Sequence, residues 1–423
     1  MFSLDKFYNI LHNNLISKLC ANNQTQYFYP FGTYDNVGTI TDKSNYNLFR
    51  PMDANTWLLR SKKVFCYFLD QEPIDKNTPA IGGTTEFPKP SHWGGPNPDP
   101  AIITPGPANL IIFATSEKSD LKNELLKSKD YQCYDWYYFY HGFAALDWFR
   151  DLNYVEPSLF EDFDKVFISY NNLISNLRSY RLHLVSNLLE HDLVQHGLVS
   201  LRLEDNLGTW KTVISDRHSL LDKRAKLKIV KQIPKLSSPL TIDTNNMHGG
   251  LSADIDLTSA TRALWHIVTE TVYFLPKLHL TEKVFKPIAV KRPFILAAAP
   301  GNLAYLKSYG FKTFDRWIDE SYDQELDHYI RIEKITAEIQ RLCAMSPAQL
   351  KAMHEEMRET LEYNYNHFFG EFKTVIVDEL LSNFDGVLSQ FNNGRQPNNH
   401  SRYHQRFELP PGHLAEVKQR LLK

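Results

Sequence analysis

Residues 268–301 read Val-Thr-Glu-Thr-Val-Tyr-Phe at 268–274, His-Leu-Thr-Glu-Lys-Val-Phe-Lys-Pro-Ile-Ala at 279–289 and Lys-Arg-Pro-Phe-Ile-Leu-Ala-Ala-Ala-Pro-Gly at 291–301. An apolar run from Leu264 to Val268 ends in Thr269 and Glu270, and a loop follows. Thr281, Glu282 and Lys283 open a helix, and a second apolar run, Pro293 to Ala298, ends in Pro300-Gly301. The order is strand, loop, helix, strand, with polar groups gathered where a strand ends and a helix begins. In open α/β sheets ligands bind at the carboxyl ends of strands, and free N–H groups at a helix start favour anions. The segment therefore reads as half of a nucleotide site.

Further along the chain the same alternation recurs. Val64–Leu69 is a compact apolar run of the kind that forms a buried parallel strand, and it ends in Asp70-Gln71-Glu72-Pro73. Leu110–Ala114 and Trp136–Tyr140 are the next strands, the second ending in His141-Gly142. Ser116 is placed to cap a helix from about Lys118. A new unit begins near residue 160, with a strand at Lys165–Tyr170, a polar loop carrying Arg178, a helix from about Arg181 to His191 and strand character again at Gly197–Leu201. Phe311–Phe314 reads as a further strand. Ser346-Pro347-Ala348-Gln349 matches an N-cap with proline at N1 and glutamine at N3, and its helix is expected to run to about Phe369. Strand–helix alternation implies parallel sheets covered by helices. The expected fold is α/β, two Rossmann-like domains facing a cleft, with C-terminal helices. The expected boundaries are 1–158, 159–370 and 371–423, and the last helices are expected to cross back onto the first domain.

Two stretches stand apart. Residues 73–108 hold nine prolines and five glycines around His92 and Trp93, and a loop that long is usually functional or disordered. Residues 223–236 carry Lys223, Arg224, Lys226, Lys228, Lys231 and Lys235. They read as a solvated helix face, or alternatively as a track for a phosphate backbone.

Bulk properties narrow the classes. The chain has 423 residues, 43% hydrophobic and 23% charged, enough for two cores. A net charge of −2 gives no overall pull toward nucleic acid, though a local basic face remains compatible with it. Cys20, Cys66, Cys133 and Cys343 are scattered, which favours a reduced, cytoplasmic protein over a disulfide scaffold. No apolar run approaches the ~18 residues that would suggest a membrane span, and the N-terminus lacks the order of a signal peptide. There is no Walker P-loop, no G-x-S-x-G and no zinc spacing among the sixteen histidines and the cysteines. Asp254-Ile255-Asp256 has the form of an Asp-x-Asp metal clamp but follows a Gly-Gly loop, so a loop or helix-cap role is expected and no metal.

Thr281-Glu282-Lys283-Val-Phe-Lys286-Pro-Ile-Ala followed by Arg292-Pro293-Phe294-Ile295 resembles the GT-B-fold glycosyltransferases, in particular fucosyltransferase-like and exostosin-like families. With Phe311-Lys312-Thr313-Phe314, Asp70-Gln71-Glu72-Pro73 and Arg178–Leu193 it is also similar to transferase-like proteins encoded by phages. Where the families usually place a small residue and glycine before the last strand, this chain has Ala289-Val290-Lys291-Arg292. The resemblance implies a nucleotide-sugar donor, with a UDP-sugar expected, and no metal or resident cofactor. Glu282 would accept hydrogen bonds from the ribose hydroxyls. Lys283 and the first turn opened by Thr281 would face the diphosphate. Arg178 and Arg181 would hold phosphate oxygens, and Thr269 and Glu270 would line the pocket. In an inverting enzyme the acceptor hydroxyl needs a base, for which Asp70 comes first, then Glu72 and His141; a retaining reaction needs none. The phage-like features suggest a hydroxymethylated pyrimidine in double-stranded DNA as acceptor, in the host cytoplasm, with the Pro/Gly loop and the basic run touching DNA and a flipped base. The alternatives are a transferase for a surface or protein glycan and a non-catalytic protein that keeps the fold and binds a nucleotide or a partner.

Overall fold

The computed structural model describes residues 2–19, 25–28, 64–74, 110–126, 133–152, 162–242, 252–393 and 406–423. His92 and Trp93, nearly all of the Pro/Gly loop, and most of the linker between 392 and 412 lie outside them. The protein is α/β, with parallel sheets and many helices. It divides into two compact units, Met1–Asp147 with Lys373–Lys423, and Trp148–Phe372. The C-terminal segment thus belongs to the first unit rather than standing apart.

Unit 1 is built on β1 (Thr25–Phe28), β2 (Val64–Leu69), β3 (Leu110–Thr115) and β4 (Cys133–Tyr137), in the order β1-β2-β3-β4 and parallel throughout. The six residues of β3 are all buried, as expected of a strand covered on both faces. Leu69 pairs with Thr115 and Thr115 with Tyr137. The three strands therefore end level, and Asp70, Ser116 and Tyr138 leave the sheet side by side. The Phe372–Asn393 helix packs on β4. Trp136 Nε1 donates to the Leu380 carbonyl at 3.0 Å and its ring meets Phe384 edge-on, while Asn383 donates to the Tyr137 carbonyl at 2.8 Å. The Leu4–Ile10 helix contributes Phe7, stacked on Phe143 at 4.4 Å.

Unit 2 is built on β5 (Lys165–Ser169), β6 (Gly197–Val199), β9 (Ala263–Thr269) and β10 (Phe294–Ala297), in the order β10-β9-β5-β6, again parallel; β7 (Glu204–Asp205) and β8 (Gly208–Thr209) form a separate short hairpin. From β5 the chain first extends the sheet to one side with β6 and later to the other with β9 and β10. The direction of winding reverses between β5 and β9, and in open α/β sheets that reversal opens the crevice where ligands bind.

Several local expectations are met and others shift. Ser346 and Gln349 form the capping box, but the helix breaks at Met357 into Pro347–Glu356 and Arg358–Phe369. Ser119, not Ser116, caps the helix after β3, which spans Asp120–Leu125; Ser116 accepts from the Tyr140 N–H at 3.1 Å instead. Phe311–Phe314 is not a strand. The side-chain amide of Asn364 bonds the N–H and carbonyl of Lys312 at 2.8 and 2.9 Å, in the place a neighbouring strand would take.

Candidate active site

At the switch point of unit 2, the buried Glu270 follows β9 and serves as an anchor for the loop beyond it. Its carboxylate accepts from the Thr271 N–H at 3.2 Å, from the Thr281 N–H at 3.2 Å and from the Thr281 hydroxyl at 2.6 Å. A buried carboxylate requires such donors. Thr281 in turn accepts from Lys283, at 3.0 Å from Nζ and 3.4 Å from the N–H, and so caps the short turn Glu282–Val284. Lys283 Nζ also lies 3.0 Å from Glu282 and 3.4 Å from the Thr271 hydroxyl. Its side chain remains 31% exposed, whereas that of Glu282 is 4% exposed. Of these two side chains, Lys283 is the one that solvent reaches.

Lys286 stands one turn further and was not singled out from the sequence. Its Nζ donates to the Asp254 carbonyl at 2.7 Å and lies over the Phe149 ring. Protein packed around the ammonium pushes it down to about 8, Glu282 raising it and Lys283 lowering it further. Glu282 is thus a buried carboxylate between two lysines. Its spacing of four from Lys286 was the available signal.

Arg181 differs from expectation. It is buried, and its guanidinium donates to the Leu173 carbonyl at 3.0 Å and the Thr269 carbonyl at 2.7 Å. It ties the end of β9 to the loop after β5 and is not a solvent-facing phosphate clamp. Tyr180 does similar work, donating to the carbonyls of Glu270 and Ala297 and stacking on Tyr273 at 4.0 Å. Arg331 lies over the Tyr273 ring and donates to the carbonyls of Tyr273 and Ala298. Thr269 turns its hydroxyl to the Tyr170 carbonyl at 2.8 Å, so its role is in the strand end. Arg178 is half-buried in the turn Asn176–Arg178 after β5. The Glu270, Thr281, Glu282 and Lys283 side chains form one connected group; Arg181 and Thr269 support its backbone.

In unit 1, Asp70 follows β2 and is fully buried. The Tyr8 and Tyr138 hydroxyls both donate to its Oδ2, at 2.9 and 2.5 Å. Burial pushes its carboxyl up to about 6, against the hydrogen bonds from Tyr138 and Tyr8 and the charge of His141. That places a titrating carboxyl near neutrality, where a general base works best. His141 is buried in the Tyr140–Ala145 helix, its ring edge-on to Tyr140. Glu72 is exposed two residues beyond Asp70, on the solvent side of the turn. Asp70 and His141 are brought together electrostatically; Glu72 does not share Asp70's burial. Tyr8 was missed because nothing in the chain marks a helix tyrosine sixty-two residues away as a partner of Asp70.

Two other features resolve into structural roles. Asp256 caps the Leu257–Arg262 helix, as expected. Much of the basic run is tied down within the unit: Arg224 bonds Asp222 and Asp327, Lys228 bonds Glu190, Glu333 and Asn187, and Lys231 faces Glu190. Among the described residues no group of three or more His, Cys, Asp or Glu is arranged to hold a metal ion, and no helix is long and apolar enough to cross a membrane. Comparisons with protein-family models, curated proteins and solved structures returned no match.

Proposed function

We propose that the protein is a metal-independent glycosyltransferase of GT-B type, with the two units as its Rossmann-like halves, unit 2 taking a nucleotide-sugar donor and Asp70 of unit 1 acting as the base on an acceptor hydroxyl. The observation that carries this reading is the switch point of unit 2. Glu270, Thr281, Glu282 and Lys283 converge on the loop leaving β9, and Arg178 follows the loop leaving β5, the two strands between which the winding reverses. A partly exposed lysine beside a carboxylate suits a diphosphate next to a ribose: Lys283 would neutralise the departing phosphate and Glu282 would accept from the sugar hydroxyls. A UDP-sugar is the first donor to try. For the acceptor, a hydroxymethylated pyrimidine in DNA is proposed, although the basic helix supports it less than its sequence did, because Arg224 and Lys228 are held by carboxylates of the same unit.

The test incubates the full chain with a panel of sugar nucleotides and follows nucleotide release with and without hydroxymethylated duplex DNA. DNA-stimulated release supports the reading in full. Release indifferent to DNA points to a glycan acceptor, and absence of nucleotide binding in any form overturns the transferase. Glu282→Ala is expected to weaken donor binding at least tenfold, the loss of about 1.4 kcal/mol; unchanged affinity removes Glu282 from the ribose contact.

A further inference from the structure

The two oxygens of Asp70 are not equivalent. Oδ2 accepts from both Tyr8 and Tyr138, and the Tyr8 hydroxyl accepts in turn from Gln71 Nε2 at 3.2 Å. Oδ1 is buried with no hydrogen-bond partner among the described residues. A buried carboxylate oxygen without a donor is costly in a folded protein. The tyrosines come from two separate elements, one on the Leu4–Ile10 helix and one just after β4. Their rings are fixed by close packing, Tyr8 edge-on to Phe68 at 5.6 Å and Tyr138 edge-on to Trp136 at 5.2 Å. Two independent elements thus hold the same oxygen and leave the other bare.

We propose that Tyr8 and Tyr138 are positioning residues of the transferase, which saturate Oδ2 of Asp70 so that Oδ1 alone takes the acceptor's proton. The proposal rests on Asp70 being the base. In the step it describes, the acceptor O–H bond breaks and its proton passes to Oδ1. The acceptor oxygen forms a bond to the anomeric carbon, and the bond from that carbon to the diphosphate oxygen breaks, its electron pair leaving with the nucleotide. The proton leaves Oδ1 for a water that takes the product's place before the next acceptor binds. Besides the tyrosines, the groups that bear on Asp70 are its own backbone N–H and His141 from the Tyr140–Ala145 helix, which favour its charge, and the buried Cys66 of β2, whose thiol is pushed up by burial first and by the Asp70 charge second. His12, buried against Phe68, is held neutral, pushed down to about 3 by burial.

The test uses the full chain with Tyr138→Phe and Tyr8→Phe, each a loss of one oxygen in a retained ring. Two quantities are followed against pH: kcat for transfer, and the infrared carboxyl band of Asp70, assigned by its loss in Asp70→Asn. Removing a donor to the charged form raises its pKa. Each variant is therefore expected to move the Asp70 band midpoint and the acid limb of kcat upward together, by about one pH unit, with donor KM unchanged. A band and limb that stay put in both variants, or kcat lowered evenly at all pH, overturn the positioning role. A band that moves while the limb does not removes Asp70 as the base and the proposal with it. A wild-type chain that transfers from no donor overturns the transferase reading and this inference together.

Discussion

At the residue scale, the two candidate arginines and the candidate lysine separate by what their charges face. Arg181 donates to main-chain carbonyls inside unit 2, whereas Lys283 bonds side chains of its network and stays partly exposed. A guanidinium's fork of donors can satisfy several carbonyls at once, which an ammonium on a flexible stem cannot. Arg181→Lys is therefore expected to destabilise unit 2 by about 2–4 kcal/mol, since carbonyls are left unpaired and a charge is left buried. On the proposed function, the nucleotide affinity of the folded fraction should stay within about twofold of wild type, under 0.5 kcal/mol. Urea titration and equilibrium binding read the two effects separately; a large affinity loss without destabilisation would return Arg181 to the phosphate site. In the sequence Arg178 and Arg181 look alike, because charge is visible in a chain and its partner is not.

At the element scale, the strands were legible and the contacts at their ends were not. Val64–Leu69 and Phe294–Ala297 are continuous apolar runs, and Leu110–Thr115 and Ala263–Thr269 are apolar but for His266 and their closing threonines, as parallel strands covered on both faces tend to be. The Phe311–Phe314 run carried the same signal yet forms no ladder, because Asn364 satisfies Lys312 from a helix more than fifty residues on. Apolar content reports burial there, and not pairing. The Thr281 turn was legible in part: threonine before Glu-Lys reads as a cap, and it is one. That its hydroxyl also donates to the buried Glu270 carboxylate depends on how the loop after β9 folds back. Thr281→Val is expected to destabilise unit 2 by about 1.5–3 kcal/mol, the range for a hydrogen bond to a charged group, while Thr281→Ser recovers most of it. Chemical denaturation of the two variants checks this; equal losses would show that the methyl packing, not the hydroxyl, is what matters.

At the scale of the whole molecule, buried ionisable groups set how each unit responds to acid. In unit 2, burial pushes His266 and His354 down to about 4 and lowers His183 and His328 as well. Burial works against the charge of Glu333, but hydrogen bonds from His183, Lys228 and Asn187 outweigh it and hold the carboxyl at about 2. A histidine whose folded pKa lies below its ordinary value of 6.5 contributes stability that is complete above pH 6.5 and lost as pH falls toward 4, on the order of 3 kcal/mol for a shift of this size. Glu320 and Asp323, pushed up by burial, run the other way. In unit 1, His12 acts in the same sense as the histidines of unit 2, but Asp70 opposes it: with its carboxyl raised to about 6, falling pH relieves a buried charge. Unit 2 is therefore expected to open first between pH 6.5 and 4.5. Hydrogen exchange followed by mass spectrometry, corrected for intrinsic rates, reads this peptide by peptide, and earlier opening of unit 1 would contradict it.

The amino-acid sequence by itself determined the class of fold, most of the strands and several helix caps, because periodicity, apolar runs and capping residues act over a few residues. Only the tertiary structure decided that the winding of unit 2 reverses beside Glu270, that Arg181 faces carbonyls, and that Tyr8 and Tyr138 meet on one oxygen of Asp70. Each of these is a pairing between groups far apart in the chain. Which partner a buried polar group finds is settled by the packing that excludes water around it, and that packing is a property of the folded chain as a whole.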